Sequence, residues 1–166
     1  DPEVTRLTEL AGRLALKTHR NDEPITDVDL AALVGAEDGM RKRIEEHLVS
    51  LEADYETLLE AMPAREAQLT TLLNRPEVVR GEVERGAYSV DALRNRVKSL
   101  RVDIDGLKKG FTDTWAAIEQ IRIDLKTGDQ AAIRERLKRT YPELSSQLLA
   151  LTLAKARARV DAVVWV

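Results

Sequence analysis

The chain has 166 residues, a length typical of one domain, and contains no cysteine, which excludes disulfides, thiolate chemistry and cysteine metal sites. Its 26 basic and 29 acidic residues are interspersed and give a formal net charge of −3, a balance that argues against a general nucleic-acid binder. No run of about 18 apolar residues occurs, so no segment is expected to insert into a membrane. The abundance of Ala, Leu, Glu, Lys and Arg favours helix almost throughout and predicts an all-α fold.

The first part of the chain predicts two helices separated by a polar break. Residues 3–18 place Val4, Leu7, Ala11 and Leu14 on one face, which is typical of an amphipathic helix. After the break, Thr26 or Asp27 caps a short docked helix that ends at Gly35, with a partly ordered linker as the alternative.

Two longer apolar patterns predict an antiparallel hairpin over residues 38–127. The first long helix is expected over about 40–74, kinked but continuous at Pro63 because proline removes a backbone donor. Residues 75–86 are rich in charge and glycine and predict a turn, after which Ser89 caps a second helix over about 89–127. Gly128 is expected to terminate that helix.

The second long helix carries the strongest pattern in the chain. Ten of eleven positions at alternating spacings of three and four are apolar, and the eleventh is a threonine: Val90, Leu93, Val97, Leu100, Ile104, Leu107, Phe111, Thr114, Ile118, Ile121 and Leu125. Such a seam is typical of a long helix packed along another in the manner of a coiled coil.

The last part of the chain predicts a short helix through Ile133 and Leu137, stopped before Pro142, and a final helix over 143–162. Residues 163–166 are β-branched or aromatic, and they fit either a frayed helix end or the start of a strand. The whole is predicted to be one helical domain over 1–166, an elongated antiparallel bundle in which helices 3–18 and 143–162 flank the hairpin. The expected core comprises Leu48, Leu51, Tyr55, Leu58, Leu69, Leu72, Val97, Leu100, Ile104, Leu107, Phe111, Ile118, Ile121, Leu148 and Leu151.

No catalytic, cofactor-binding or metal-binding motif is found, so neither an enzyme nor a cofactor is expected. His19 and His47 lack the Glu three residues before them that di-metal bundles require, and both are expected to be solvated. The acidic pairs Glu45/Glu46, Glu82/Glu84 and Asp103/Asp105 fit the charged faces of long helices better than acid–base chemistry.

Two features are candidates for interaction. Trp115 lies beside the apolar seam, where it either anchors a protein partner or, as we favour, covers the side of the core. Arg134, Arg136, Lys138 and Arg139 form a local basic segment, which predicts either an anion patch or, more simply, surface ion pairs with nearby acids.

The tail from Leu144 to Asp161, LSSQLLALTLAKARARVD, followed by AVVWV, resembles the coiled-coil helix end of TolC-like outer-membrane efflux proteins. The resemblance implies a periplasmic helical part of a longer transport or envelope protein, without membrane strands or an active site of its own. A start at Asp1 and an end within an apolar run agree with an excerpt of a longer chain. The alternative is a cytoplasmic regulatory bundle; in both cases the expected partner is a protein or a second copy, not a small-molecule substrate. For this fragment we expect a monomer or weak dimer.

Overall fold

The computed structural model describes residues 2, 5, 6, 9, 27–75 and 80–166, and within these it contains three long helices and no strand. The helices are α1 (Asp27–Leu73), α2 (Arg80–Thr127) and α3 (Gln130–Trp165). The predicted all-α helical bundle is therefore confirmed. The predicted helix 3–18 lies almost wholly outside the described residues.

Contacts divide the chain into two compact units, and each contains parts of all three helices. Unit 1 comprises the described residues of Asp1–Leu48 together with Gly106–Leu153, and unit 2 comprises Val49–Asp105 together with Ala154–Val166. In unit 1, α2 and α3 run antiparallel, since Asp124 pairs with Arg136 and Gly110 with Gln147. In unit 2, α1 and α2 run antiparallel, since Glu66 pairs with Arg94 and Tyr55 with Arg101.

Each unit has its own apolar core, and the α2 seam supplies much of both. Most of the predicted core residues are buried, whereas Tyr55, Leu69 and Leu72 are half-buried. Four residues of α3 that are fully buried in unit 1 are not among the predicted core residues: Ile133, Leu137, Tyr141 and Leu144.

The helix boundaries correct several predictions. α1 begins at Asp27 and continues through Gly35, so the separate short helix does not exist. A glycine inside a helix costs only about 1 kcal/mol, which the burial of Met40 and Ile44 readily offsets. Continuity through Pro63 was predicted and is confirmed, with the helix ending at Leu73.

α2 begins at Arg80, nine residues before the predicted cap at Ser89. Gly86 falls within the predicted turn, but in the structure it lies inside α2 against α1. A Cβ atom at this position would be 3.2 Å from Leu72 Cδ1 and 3.3 Å from Leu69 Cδ1. The glycine therefore lets the two helices approach each other closely in unit 2.

The connection between α2 and α3 begins at Gly128, the residue that was predicted to terminate α2. Gly128 has a φ of 72° and ends α2, as expected for a glycine in the left-handed region. Asp129 then caps α3, because its Oδ1 accepts a hydrogen bond from the Ala132 amide at 3.1 Å.

The predicted break before Pro142 is wrong, because α3 is a single helix from Gln130 to Trp165. A proline in a helix interior costs about 3 kcal/mol. Tyr141 and Leu144, on either side of it, are fully buried, and burial of two such side chains is worth a comparable amount. The helix also settles the open question about residues 163–165, which are helical.

A polar cluster lies between α2 and α3 in unit 1. The Thr114 hydroxyl donates to Gln147 Oε1 at 2.8 Å, and Gln147 Nε2 donates to the Gly110 carbonyl at 3.0 Å. A Cβ atom on Gly110 would lie 3.0 Å from the same Nε2 atom, whereas one on Gly106 would meet nothing within 4 Å. A side chain at position 110 would therefore require the Gln147 amide to shift by a few tenths of an ångström.

We expect the substitutions Gly106→Ala and Gly110→Ala to have different effects on stability. Alanine at 106 should raise the free energy of unfolding by about 0.5–1 kcal/mol, the usual helix-propensity gain. The free energy of unfolding of the Gly110→Ala variant should be about 1–2 kcal/mol lower than that of Gly106→Ala, because Gln147 must move and its part-buried hydrogen bonds are weakened. Urea unfolding followed by circular dichroism measures both, and an equal gain at the two positions would contradict the role assigned to the cluster.

Candidate interaction surfaces

Trp115 is part of the core of unit 1. It is only 9 % exposed, and its ring stacks on Phe111 with a centroid distance of 6.1 Å and an interplanar angle of 18°. The Arg41 guanidinium lies 5.6 Å from the centroid of the Trp115 ring. This arrangement fits the core interpretation and leaves little of the indole for a partner.

The basic segment on α3 contains several cations that are close to acids. Arg136 Nε donates to Asp124 Oδ2 at 2.9 Å, and Lys138 Nζ lies 3.9 Å from Glu135 Oε1. Arg139 is exposed and Arg134 is half-buried. The pairs agree with the simpler interpretation of the segment as a surface that forms ion pairs.

A surface groove of about 700 Å³ in unit 1 brings three of these cations together. Its lining is mixed in charge, because Glu143 is present and Arg136 is neutralised by Asp124. The groove therefore combines cations that have acidic neighbours with the exposed Arg139. It is lined by Ala117, Arg136, Lys138, Arg139, Thr140, Pro142, Glu143 and Ser146.

The remaining candidate polar residues that the structure describes include one buried histidine and two acids in surface ion pairs. His47 is 8 % exposed, so the prediction that it is solvated is wrong, and His19 lies outside the described residues. Glu45 pairs with Arg41 and Asp105 with Arg101, both on exposed helix faces. Among the described residues, no group of three or more His, Cys, Asp or Glu side chains has an arrangement that would hold a metal ion.

Unit 2 contains a partly buried ion pair that sequence reasoning missed. Arg96 on α2 meets Asp161 on α3, with Nη2 to Oδ2 at 2.8 Å and Nε to Oδ1 at 3.0 Å. The Asp161 side chain is 8 % exposed and that of Arg96 26 %. The hydrogen bond to Asp161 is the largest influence on the Arg96 guanidinium and raises its pKa. The only signal of this pair in the sequence is Asp161 itself. It is an acid at a position where the helical spacing from Ala154 and Ala158 predicts an apolar residue.

The most unusual surface of unit 2 is an exposed apolar row on α3, which we call the tail face. It consists of Ala156, Val160, Val163 and Val164; the three valines are 61 %, 87 % and 55 % exposed. Their spacings of four, three and one residues place them on one side of the helix. Ala154, Ala158 and Asp161, which are buried, occupy the other side.

Two exposed arginines, Arg157 and Arg159, flank the tail face. At 100° per residue, they lie on opposite borders of the apolar row. Arg159 is on the side of α3 that faces α1. The positive charges of Arg159 and Lys155 there attract the Asp54 carboxylate of α1. Burial is nevertheless the largest influence on that carboxyl and raises its pKa, while the two cations act in the opposite direction.

Comparison with known proteins identifies no relative of this chain. No protein-family model, curated protein or solved structure matches the chain. In the described part of the chain, no helix has the length and apolar character needed to cross a membrane.

Proposed function

We propose that this chain is a non-enzymatic interaction domain, and that its tail face binds an amphipathic helix of another protein. The single observation that supports the proposal most strongly is the exposure of Val160, Val163 and Val164 on one side of a helix whose other side is packed in unit 2. Apolar residues at spacings of three and four are the anchors by which one helix lies along another.

The exposure of Val160, Val163 and Val164 supports a binding role because valine is an unfavourable residue on a solvated helix surface. Valine has a lower helix propensity than Ala, Lys or Glu, since its branched side chain loses rotamer freedom in a helix. Three exposed valines within five residues thus bring no local advantage, whereas burial against a partner would recover the apolar transfer free energy of each.

The proposal applies equally to an envelope protein and to a cytoplasmic one. The resemblance to TolC-like outer-membrane efflux proteins rests on the same tail residues, and transport and a periplasmic location stay predictions. A helical binding surface without catalytic groups is common to both settings.

The test is a titration of the full chain with a synthetic probe helix that has Leu and Ile at spacings of three and four and Gln at the flanking positions. We expect calorimetry to detect binding that Val160→Glu weakens at least about tenfold, because an unpaired carboxylate would be buried. Val102→Glu is the matched control, since Val102 is also an exposed valine of unit 2, at 69 %, but lies on α2. Failure of the probe to bind, or equal losses in the two variants, would contradict the proposal.

A further inference from the structure

We infer that the partner of the tail face is an acidic helix, with Glu or Asp beside its apolar seam. This inference rests on the proposed function and specifies the chemistry of the partner. It comes from the charges that border the tail face.

The charged residues of the chain after Glu143 are Lys155, Arg157, Arg159 and Asp161. The only acid among them, Asp161, is buried and neutralised by Arg96 in unit 2. The charges that α3 presents to solvent on the two borders of the tail face are therefore the positive charges of Arg157 and Arg159, of which Arg159 also faces Asp54 of α1. This contrasts with the net charge of −3 of the whole chain, so the basic border is a local feature.

The positions of the two arginines match those that determine partner choice in paired helices. Ala156, Val160 and Val163 form the seam of the tail face. Arg157 directly follows Ala156, and Arg159 directly precedes Val160. These are the e and g positions, where interhelical ion pairs select the partner and its orientation. Glu residues at the facing positions would pair on both borders of the interface.

A second copy of the chain fits this surface less well. In a two-fold symmetric pair the same patch faces itself, so an antiparallel pairing of two tail faces would bring Arg157 near Arg157 and Arg159 near Arg159. Like charges at these positions destabilise a helix pair. The basic border therefore favours a different, acidic partner.

A membrane surface also fits less well than a helix. Helices that lie in the lipid interface present bulky Trp, Phe and Leu side chains, whereas the tail face consists of valines and one alanine. The neighbouring Trp165 is engaged within unit 2, because the Arg65 guanidinium lies 5.9 Å from the centroid of its ring and donates to its carbonyl at 3.2 Å. Small, branched side chains suit the close packing of two helices.

The inference is tested with two variants of the probe helix that keep the apolar seam and carry either Glu or Lys at the flanking positions. We expect the full chain to bind the Glu probe at least about tenfold more tightly than the Lys probe. Raising the salt concentration to about 0.5 M should shrink this preference, while binding of the Gln probe should change little.

Charge reversal at the border should alter the preference itself. Arg157→Glu is expected to reduce the ratio of Glu-probe to Lys-probe affinity at least about fivefold. Lys98→Glu makes the same change in net charge at an exposed position of α2 in unit 2, and should leave the ratio within about twofold. A ratio that responds equally to both reversals would mean that only the overall charge matters, and it would overturn the inference.

The outcomes separate this inference from the proposed function. Equal binding of the Glu and Lys probes would overturn the acidic partner while leaving helix docking intact, whereas failure of all three probes would overturn both. The inference would also be overturned by concentration-dependent dimerisation that Val160→Glu abolishes in light scattering. Cosedimentation with phosphatidylserine-containing vesicles that the same variant abolishes would instead assign the tail face to a lipid surface.

Discussion

Replacing Asp161 with alanine should lower the free energy of unfolding by about 3 kcal/mol, because it leaves the Arg96 guanidinium without its carboxylate at a largely buried position of unit 2. The pair is bidentate, with distances of 2.8 and 3.0 Å, and it joins α2 to α3. Removing one member of such a pair costs more than the pair contributes, since the remaining charge stays desolvated.

The chain provides a matched control for this substitution. Arg101 and Asp105 also form a two-point contact, at 2.7 and 3.2 Å, but both lie on α2, four residues apart, and their side chains are 43 % and 56 % exposed. We expect Asp105→Ala to cost no more than about 0.5 kcal/mol. Urea unfolding of the two variants measures the difference, and similar losses would show that the Arg96–Asp161 pair has no special structural role.

The second large effect is expected from Leu144→Ala in unit 1, which should lower the free energy of unfolding by about 3 kcal/mol. Leu144 is fully buried two residues after Pro142, so truncation removes apolar contacts and leaves a cavity. Its packing is also part of what holds α3 together across the proline, so the loss should be accompanied by reduced helicity near that position.

Leu149→Ala is the control for this prediction, because Leu149 lies on the same helix and in the same unit but is 54 % exposed. It should change stability by no more than about 0.5 kcal/mol. If the two leucines had equal effects, the placement of Leu144 in the core of unit 1 would be wrong.

Much of the fold could be predicted because helical periodicity is a local property. The α2 seam from Val90 to Ile121 spans many turns, and most of its residues are buried as expected. Gly128 was also predictable, since a glycine after the last residue of an apolar pattern is a common helix end.

The errors arose where tertiary packing overrides a local signal. Pro142 and Gly86 are helix breakers by propensity, yet both lie inside helices. Pro142 is tolerated beside buried Tyr141, and Gly86 lies close against the side chains of Leu69 and Leu72. Neither packing partner can be recognised from the local sequence, because the contacts depend on how the helices are paired.

The tail face could be anticipated only in part. The β-branched and aromatic composition of residues 163–166 is evident from the sequence, but whether those residues are helical, and which of them are exposed, depends on the side of α3 that packs in unit 2. Arg157 and Arg159 repeat on the last helix the basic character of the segment from Arg134 to Arg139, but the sequence alone does not show which side of the helix they border. Their role as the border of an apolar row emerges only when the buried side of α3 is known.

The measurement that tests the central claim most directly is photo-crosslinking of the full chain with a Glu-flanked probe that carries a diazirine leucine in its apolar seam. Cleavage after Arg159 releases residues 160–166, which contain Val160, Val163 and Val164. We expect this peptide to carry the crosslink, and the yield to fall strongly with Val160→Glu but not with Val102→Glu. Crosslinks concentrated elsewhere on the chain, or a yield unaffected by Val160→Glu, would contradict the account.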